Sequence, residues 1–276
     1  MTYKTIFITG VSSGFGRAIA IEACKAGHCV IGTVRSLDAK AAFESLNPDR
    51  MHGVILDVRE SEKISPLVAS VEATYGPVDV LINNAGYGHE GIMEESAVED
   101  LREQFEVNVF GPVSIMKAFL PFMRVRRNGV IINITSMGGM ITMPGITYYC
   151  GSKFALEGIS EALGKEVAGF GVTVISVAPG SFRTEWAGRS MIRSPRSIPD
   201  YDALFDPIRS AREEKSGKQL GDPAKAAEVV LDLIQAKSPP SRLLIGSDAY
   251  NLVRQKLSSM LEDIDHWETV SKSTDG

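Results

Sequence analysis

Cysteine and histidine are scarce in this chain. Three cysteines among 276 residues, none in a C-x-x-C pair, argue against a disulfide framework and favour free thiols in a reducing compartment. Four histidines lie far apart without ligand spacing, so no metal site is expected. Of these, His89 is expected in a surface loop, with a position at the mouth of the binding pocket as the alternative.

Long apolar runs and strong charge of one sign are also lacking. No window reaches the roughly 18 consecutive apolar residues of a membrane span. A formal net charge of −5 and a pI near 5.5 give no nucleic-acid footprint. The N-terminal residues enter an apolar strand without a basic region or a cleavage site, so no secretory signal is expected. We predict a cytoplasmic protein with neither a membrane nor a nucleic acid as partner.

The remaining composition is typical of a globular protein, with 44% hydrophobic and 23% charged residues. Short β-branched runs alternate with segments of helical periodicity. Runs that are apolar throughout indicate strands covered on both faces, and the alternation implies right-handed crossovers. We predict one α/β domain over 1–276, a Rossmann-type doubly wound parallel sheet of about seven strands with helices on both faces. The predicted strands are 5–9, 29–34, 53–57, 78–83, 130–135, 172–178 and 243–246, and the predicted helices are 14–26, 39–46, 62–75, 98–125, 149–168 and 223–236.

One stretch interrupts the alternation. Residues 185–221, called the insert below, are mixed in character and contain three prolines. A structureless loop of this length is unusual in a compact domain unless it acts as a lid or binding segment. We predict short helices over the active site here. They would be anchored by Trp186, Met191 and Phe205, with a small core of the insert's own as the alternative role of these residues. Residues 271–276 are expected to form a flexible tail.

A glycine-rich turn follows the first predicted strand and opens the first helix. Its glycines let the backbone turn tightly and approach a pyrophosphate, whose charge is met by N–H groups at the helix N-terminus. Because the motif lies between a strand and a helix, it indicates a dinucleotide-binding loop rather than an ordinary turn. The loop residues assigned to the cofactor are Gly10, Ser12, Ser13, Gly14, Phe15 and Gly16.

Tyr149 and Lys153 form a Y-x-x-x-K pair, which places the phenol and the ammonium on one helix face. A nearby cation favours a phenolate, so we expect Lys153 to lower the pKa of Tyr149 and to make it a proton donor and acceptor. Tyr148 has Ser152, and no cation, four residues further on. Ser136, at the end of the fifth predicted strand, can hydrogen-bond a substrate oxygen.

The glycine spacing T-G-x-x-x-G-x-G, followed by Ser136 and Y-x-x-x-K, resembles the short-chain dehydrogenase/reductase family. The resemblance covers about 4–247. It implies Asn108, Ser136, Tyr149 and Lys153 as catalytic positions. Asn108 would organise a helix kink and hold a water that links Lys153 to bulk solvent. It also implies that the nicotinamide passes hydride to a carbonyl carbon while Tyr149 gives a proton to the oxygen.

The same resemblance assigns more residues to the cofactor. It places the adenine at the end of the third strand, the adenine ribose at the end of the fourth, and the nicotinamide at the turn after the sixth. Lys153 would bond the nicotinamide ribose. Thr184 in that last turn would bond the carboxamide, although it is also suited to capping a helix. The residues so assigned are Asp57, Val58, Asn84, Ala85, Gly86, Tyr149, Lys153, Pro179, Gly180 and Thr184.

The end of the second strand carries the signal for cofactor preference. A carboxylate there would repel a 2′-phosphate, whereas Val34 followed by Arg35 would attract one. We therefore expect NADP(H). Two features keep NAD(H) open, since Ser13 stands where a basic residue often accompanies NADP(H), and Asp38 lies near enough to reach a ribose.

The sequence thus predicts an NADP(H)-dependent oxidoreductase that interconverts a ketone or aldehyde and an alcohol. Its alternatives are an NAD-preferring dehydrogenase and a non-catalytic dinucleotide sensor. A sugar-nucleotide epimerase is disfavoured because its T-G-x-x-G-x-x-G spacing and larger C-terminal domain are missing. The substrate is expected to be a hydrophobic small-molecule carbonyl compound or alcohol, of a steroid-like or aromatic kind. The resemblance implies a homodimer or homotetramer built through the helices at 98–125 and 149–168.

Overall fold

The structure, a computed structural model, describes residues 3–275. A main sheet of seven parallel strands confirms the predicted Rossmann-type α/β fold. Its strand order is β3-β2-β1-β4-β6-β7-β9. These strands are β1 (Thr5–Ile8), β2 (Cys29–Val34), β3 (Met51–Ile55), β4 (Val80–Asn83), β6 (Gly129–Ile134), β7 (Val172–Pro179) and β9 (Arg242–Ile245), and β5 (Gly88–Glu90) and β8 (Met191–Arg193) form a second, two-stranded sheet.

Helices flank the main sheet on both faces. Alternate residues of β1 show how the sequence builds two apolar layers, because successive side chains of a strand point to opposite faces. Ile6 and Ile8 pack into the layer beneath α1 and α8, whereas Phe7 packs into the layer beneath α3 and α5. The helices are α1 (Gly14–Lys25), α2 (Leu37–Glu44), α3 (Ser61–Tyr75), α4 (Val98–Phe105), α5 (Gly111–Arg126), α6 (Thr147–Val167), α7 (Asp202–Glu214), α8 (Pro223–Gln235), α9 (Ser247–His266) and α10 (Glu268–Lys272).

The strand order reverses between β1 and β4. β1 pairs with β2 on one side and with β4 on the other, all in parallel. The connections that leave β1 and β4 therefore run to opposite sides, and this opens a crevice at the carboxyl ends of the two strands. In open α/β sheets this crevice is where ligands bind.

The prediction of one continuous helix over 98–125 is wrong in the middle of this range. α4 and α5 are separated by a π-helical turn, Glu106–Phe110, which contains Asn108. Pro112 offers a physical reason, since it has no N–H to donate to the carbonyl of Asn108. Such π-turns inside α-helices occur frequently at functional sites.

The insert and the C-terminal segment contain structure that the sequence left undefined. The insert forms β8, which pairs with β5, and α7. The long α9 was not predicted, and the residues predicted as a tail begin within α10; Gly276 lies outside the described residues. None of the helices in the described part of the chain is long and apolar enough to cross a membrane.

Candidate active site

The glycine loop between β1 and α1 is shaped by backbone requirements. Gly10 and Gly14 adopt φ values of +70° and +58°, which L side chains rarely adopt. A Cβ at Gly16 would lie 2.3 Å from the Gly10 carbonyl oxygen. Gly16 therefore lets the start of α1 approach the loop closely, which is why only glycine fits.

The loop is tied to the end of β4. The Asn84 side-chain amide donates to the carbonyl oxygens of Thr9 (2.8 Å) and Gly10 (3.0 Å). In return, the Thr9 hydroxyl accepts from the backbone N–H groups of Asn84 and Ala85, both at 2.9 Å. The segment from Asn84 to Gly86 thus holds the loop in position, in addition to lining the crevice as the sequence predicted.

A cavity of about 1780 Å³ occupies the crevice. It exceeds the usual volume of a single small-molecule site, so it has room for a dinucleotide and a substrate together. Asn108 and Gly16 do not line it. All the other residues assigned to the site from the sequence do: Gly10, Ser12, Ser13, Gly14, Phe15, Arg35, Asp57, Val58, Asn84, Ala85, Gly86, Ser136, Tyr149, Lys153, Pro179, Gly180 and Thr184.

The start of α1 fits the pyrophosphate of a dinucleotide. The first turn of this helix contains no acidic residue, and the Ser13 side chain at the N-cap makes no capping hydrogen bond in the described structure. The N–H groups of the first turn are therefore available to an anion, and the helix dipole favours negative charge there.

Tyr149, Lys153 and Ser136 converge in the floor of the cavity. Tyr149 and Lys153 lie four residues apart in α6, and the Lys153 Nζ is 5.8 Å from the centre of the Tyr149 ring. Lys153 donates to the carbonyl oxygen of Ile134, at the end of β6, at 3.0 Å. Ser136 follows β6, and its hydroxyl accepts from the N–H of Gly138 at 3.0 Å. All three side chains are at most 9% exposed.

The pKa values of the pair contradict the sequence-based expectation. Burial raises the pKa of Tyr149 above its usual value, and the interaction with Ser136 opposes this only in part. Burial also lowers the pKa of Lys153 to about 8, with Glu157 acting in the opposite direction. Desolvation therefore outweighs any stabilisation of the phenolate by the Lys153 ammonium, so in this structure the phenol is less acidic than that of a free tyrosine.

The buried ammonium makes stability depend on pH in a testable way. Because the pKa of Lys153 is lowered to about 8 in the folded protein, against about 10.4 in an unfolded chain, the unfolded state binds more protons between these values. This group therefore raises the free energy of unfolding as pH increases through that window. We expect the parent protein to gain unfolding free energy relative to a Lys153→Met variant between about pH 7.5 and pH 10, measured by urea unfolding.

Lys165→Met, at an exposed position of the same helix, is the control. Its difference from the parent should not change by a comparable amount over this pH range. If the Lys153→Met difference is equally constant, the ammonium is not buried as the structure shows.

Asn108 lies behind the cavity. Its side chain accepts from the N–H of Tyr87 (3.2 Å) and donates to the carbonyl oxygen of Tyr87 and to the Ser152 hydroxyl, both at 3.1 Å. A Cβ at Gly86 would lie 3.0 Å from the Asn108 Oδ1 and 3.8 Å from the Lys153 Nζ. Asn108 therefore fixes the segment after β4 close to Lys153. The π-helical turn in turn sets the position of Asn108 itself.

Comparison with known proteins identifies this arrangement. A sequence model of the short chain dehydrogenase family matches residues 4–192. The chain belongs to that family. Oxidoreductase BOA17 of Botryotinia fuckeliana is 35% identical over 97% of this chain and 98% of its own length. The 3-ketodihydrosphingosine reductase of Bacteroides thetaiotaomicron is 37% identical over 89% of each chain. The crystal structure of a short-chain dehydrogenase from Streptomyces avermitilis is 41% identical with a TM-score of 0.91, and it covers 99% of this chain and 100% of its own.

As a short-chain dehydrogenase, the protein is an enzyme that interconverts an alcohol and a carbonyl with a nicotinamide dinucleotide. When bound, that cofactor supplies or accepts the hydride. The protein contributes position, hydrogen bonds and proton transfer.

The turn after β7 in this dehydrogenase is fixed by Asp248. The Asp248 carboxylate accepts from the N–H of Ser181 at 2.8 Å, and a Cβ at Gly180 would lie 2.1 Å from the same carboxylate. The Thr184 hydroxyl accepts from the N–H of Trp186 at 3.4 Å. Thr184 thus caps the short helical turn that opens the insert while also lining the cavity.

The insert brings an aromatic side chain over the candidate catalytic tyrosine. The Trp186 ring lies 5.0 Å from the Tyr149 ring at 57°, and a Cβ at Gly88 would meet the indole at 3.0 Å. The indole N–H has no hydrogen-bond partner within residues 3–275. Met143 and Ile146 complete an apolar cluster around Tyr149. The sequence singled out Trp186 but gave no signal for Met143 or Ile146, because neither belongs to a motif.

The expectation that His89 lies in a surface loop is wrong, and the alternative agrees with the structure, since His89 lines the cavity. His89 is 2% exposed in β5, its Nε2 lies 2.9 Å from the Ser194 hydroxyl, and its ring stacks on Tyr148 at 5.1 Å. Asp100 is 3.4 Å from the same nitrogen, but burial still lowers the pKa of His89. The pairing of β5 with β8 of the insert covers this histidine, and no local sequence pattern shows that pairing.

Two buried carboxylates hold the insert on the body of the enzyme. Glu90 in β5 is 1% exposed and forms ion pairs with three arginines of the insert, namely Arg193 (3.0 Å), Arg209 (3.4 Å) and Arg212. Glu95 accepts from the N–H groups of Ser197 (2.6 Å) and Ile198 (2.7 Å) and from Arg196 (2.9 Å). The backbone hydrogen bond from Ser197 is the main reason why the pKa of Glu95 is lowered to about 2.

Proposed function

We propose that this short-chain dehydrogenase uses NADP(H) to reduce a bulky apolar ketone, with Tyr149 as the proton donor. The observation that carries the proposal is the position of Tyr149. Its hydroxyl lies beside Ser136, beneath the apolar cover formed by Trp186, in a cavity whose other end contains Arg35.

The protein's part in the reduction is a proton transfer. Tyr149 gives its hydroxyl proton to the substrate oxygen as the carbonyl carbon receives hydride, so the C=O double bond becomes a C–O single bond and a C–H bond forms. Burial keeps the phenol protonated, because it raises its pKa, and so keeps it ready to donate. The Ser136 hydroxyl oxygen already accepts from the Gly138 N–H, so its proton is available to the substrate oxygen. Ser136 orients the substrate oxygen by donating this hydrogen bond.

Lys153 is placed to stabilise the phenolate that remains after this transfer. Its ammonium faces the Tyr149 ring and is anchored by the Ile134 carbonyl. A pKa of about 8 lets the ammonium lose and regain a proton near neutral pH. Asn108, through Tyr87 and Ser152, positions the surroundings of Lys153. The oxidation of an alcohol follows these steps in reverse.

The preference for NADP(H) is supported by the charges at the far end of the cavity. Arg35 is exposed, lines the cavity and forms no ion pair within the described residues. The neighbouring Arg59 is instead held by Asp57 (2.7 Å) and Glu103 (3.0 Å). Asp38, the residue that kept NAD(H) open, does not line the cavity. A 2′-phosphate would therefore meet a free guanidinium and no competing carboxylate from α2.

The proposal for an apolar substrate rests on the side chains near Tyr149. Met143, Ile146 and Trp186 pack around Tyr149, and Ile192 and Ile208 also line the cavity. Apolar walls with few polar groups favour a hydrophobic ligand. The similar Bacteroides protein is named a 3-ketodihydrosphingosine reductase, so a relative of this chain is named for the reduction of a ketone.

A turnover screen tests the cofactor assignment. Aliphatic, aromatic and steroid-like ketones are offered with NADPH and with NADH, and oxidation of the reduced cofactor is followed by absorbance. We expect a higher kcat/KM with NADPH. In an Arg35→Ser variant the kcat/KM for NADPH should fall by about 10- to 100-fold, the value of a lost charge-assisted hydrogen bond, with little change for NADH.

Arg59→Ser is the matched control for this screen. Because Arg59 is already paired with Asp57 and Glu103, its loss should affect both cofactors alike. Equal or faster turnover with NADH by the parent enzyme would refute the NADP(H) assignment.

A further inference from the structure

The last long helix of the chain leaves the body of the protein. At its start, Ala249 and Val253 of α9 are buried, but every residue from Arg254 to Asp275 is exposed. At about 1.5 Å per residue, the segment from Arg254 to the end of α9 extends about 20 Å from the body. Helices of this length are marginally stable alone in water, so the segment needs a partner surface.

This exposed segment carries an apolar stripe. Its members recur at intervals of three and four residues and fall within about 120° of the helix circumference. Each of them is 43–62% exposed. An exposed stripe of this kind marks an interaction site rather than ordinary surface. The stripe consists of Leu257, Met260, Leu261, Ile264 and Trp267.

The charges of the segment are separated along the helix. The first part carries two basic residues, Arg254 and Lys256. The last part carries three acidic residues, Glu262, Asp263 and Asp265. None of these five side chains forms an ion pair within the structure described for this chain, although Arg254 donates to the Tyr250 hydroxyl at 2.8 Å. The segment is therefore basic at one end and acidic at the other, with both ends unneutralised.

We infer that the segment 254–267 pairs with the same segment of a second copy of this chain, in antiparallel orientation. Antiparallel pairing places the basic end of each helix against the acidic end of the other and buries both apolar stripes. A parallel pair would place like charges together. An anionic lipid surface would be repelled by the acidic end, and the charge pattern therefore favours a second copy as the occupant.

The mass in solution tests this inference. A Leu261→Glu/Ile264→Glu variant introduces carboxylates into the stripe, and we expect its mass by sedimentation velocity to be half that of the parent. Gln255→Glu/Ser259→Glu adds the same charges to the opposite face of the helix and should keep the parental mass. If the parent is monomeric, or if the stripe variant keeps its mass, the inference fails.

Charge-reversal variants test the orientation, because in a parallel pair each end would still face its own kind of charge and the mass would not change. Mixing these variants guards against a stripe variant that merely loses its helix. Arg254→Glu/Lys256→Glu makes the helix wholly acidic, and Asp263→Lys/Asp265→Lys makes it predominantly basic. Each variant alone should have half the parental mass, because its helices repel. A 1:1 mixture should regain the parental mass. If the mixture stays at half mass, or if the parent pairs only in the presence of phosphatidylglycerol vesicles, antiparallel self-pairing is overturned.

Discussion

Replacing Tyr149 with phenylalanine is expected to lower kcat by on the order of 10²- to 10⁴-fold, the usual contribution of a positioned general acid. The substitution removes only the hydroxyl and keeps the ring that packs against Trp186. The fold and the binding of the cofactor should therefore be preserved. The measurement is kcat on a substrate found in the screen, with cofactor binding followed separately by fluorescence.

The chain offers a matched control in the preceding residue. The Tyr148 hydroxyl donates to the carbonyl oxygen of Ser96 at 3.2 Å, and its ring stacks on His89 without lining the cavity itself. Tyr148→Phe should lose about 1 kcal/mol of stability and little activity. Should Tyr149→Phe turn over the substrate as fast as Tyr148→Phe does, the proton passes through another group.

Replacing Glu90 with glutamine is expected to produce the largest loss of stability. The carboxylate is buried, so its removal leaves Arg193, Arg209 and Arg212 facing a neutral amide. Removing one partner of a buried ion pair costs about 3–5 kcal/mol. We expect the lower end of this range, because the arginine side chains are 15–24% exposed and retain some solvation. Urea unfolding measures the change.

Glu213 provides the control for this carboxylate. It lies near two of the same arginines, 3.4 Å from Arg193 and 3.8 Å from Arg209, but its side chain is 53% exposed. Glu213→Gln should therefore cost at most about 1 kcal/mol. Equal effects of the two substitutions would show that Glu90 does not hold the insert.

Loosening the insert should also affect turnover. Arg212 lines the cavity and donates to the carbonyl oxygen of Pro144 at 3.3 Å. Release of this contact in Glu90→Gln would let the cover over Tyr149 move away. We expect KM for an apolar ketone to rise and limited proteolysis to cut within 185–221, with the remaining chain intact.

Several features were predictable from the sequence because they depend on neighbouring residues of one segment. Apolar β-branched runs between helical segments indicate a parallel sheet wherever they occur. Gly10, Gly14 and Gly16 are required by the backbone of the loop itself. The four-residue spacing of Tyr149 and Lys153 places them on one helix face without reference to the rest of the chain.

The tertiary structure decided how these residues are surrounded. Motif spacing brings Lys153 close to Tyr149, but burial determines in which direction the two pKa values move, and burial depends on packing from β6, the insert and the end of β4. His89 is buried only because β8 pairs with β5. The ion pairs of Glu90 join residues more than 100 positions apart.

The sequence by itself thus determined the α/β sheet, the glycine loop after β1 and the Tyr149–Lys153 pair, since each follows from local conformation and short-range periodicity. Only the tertiary structure decided the cover over Tyr149, the burial of Glu90 and the exposure of α9. These depend on which distant segments exclude water from a side chain, and a linear pattern does not contain that information.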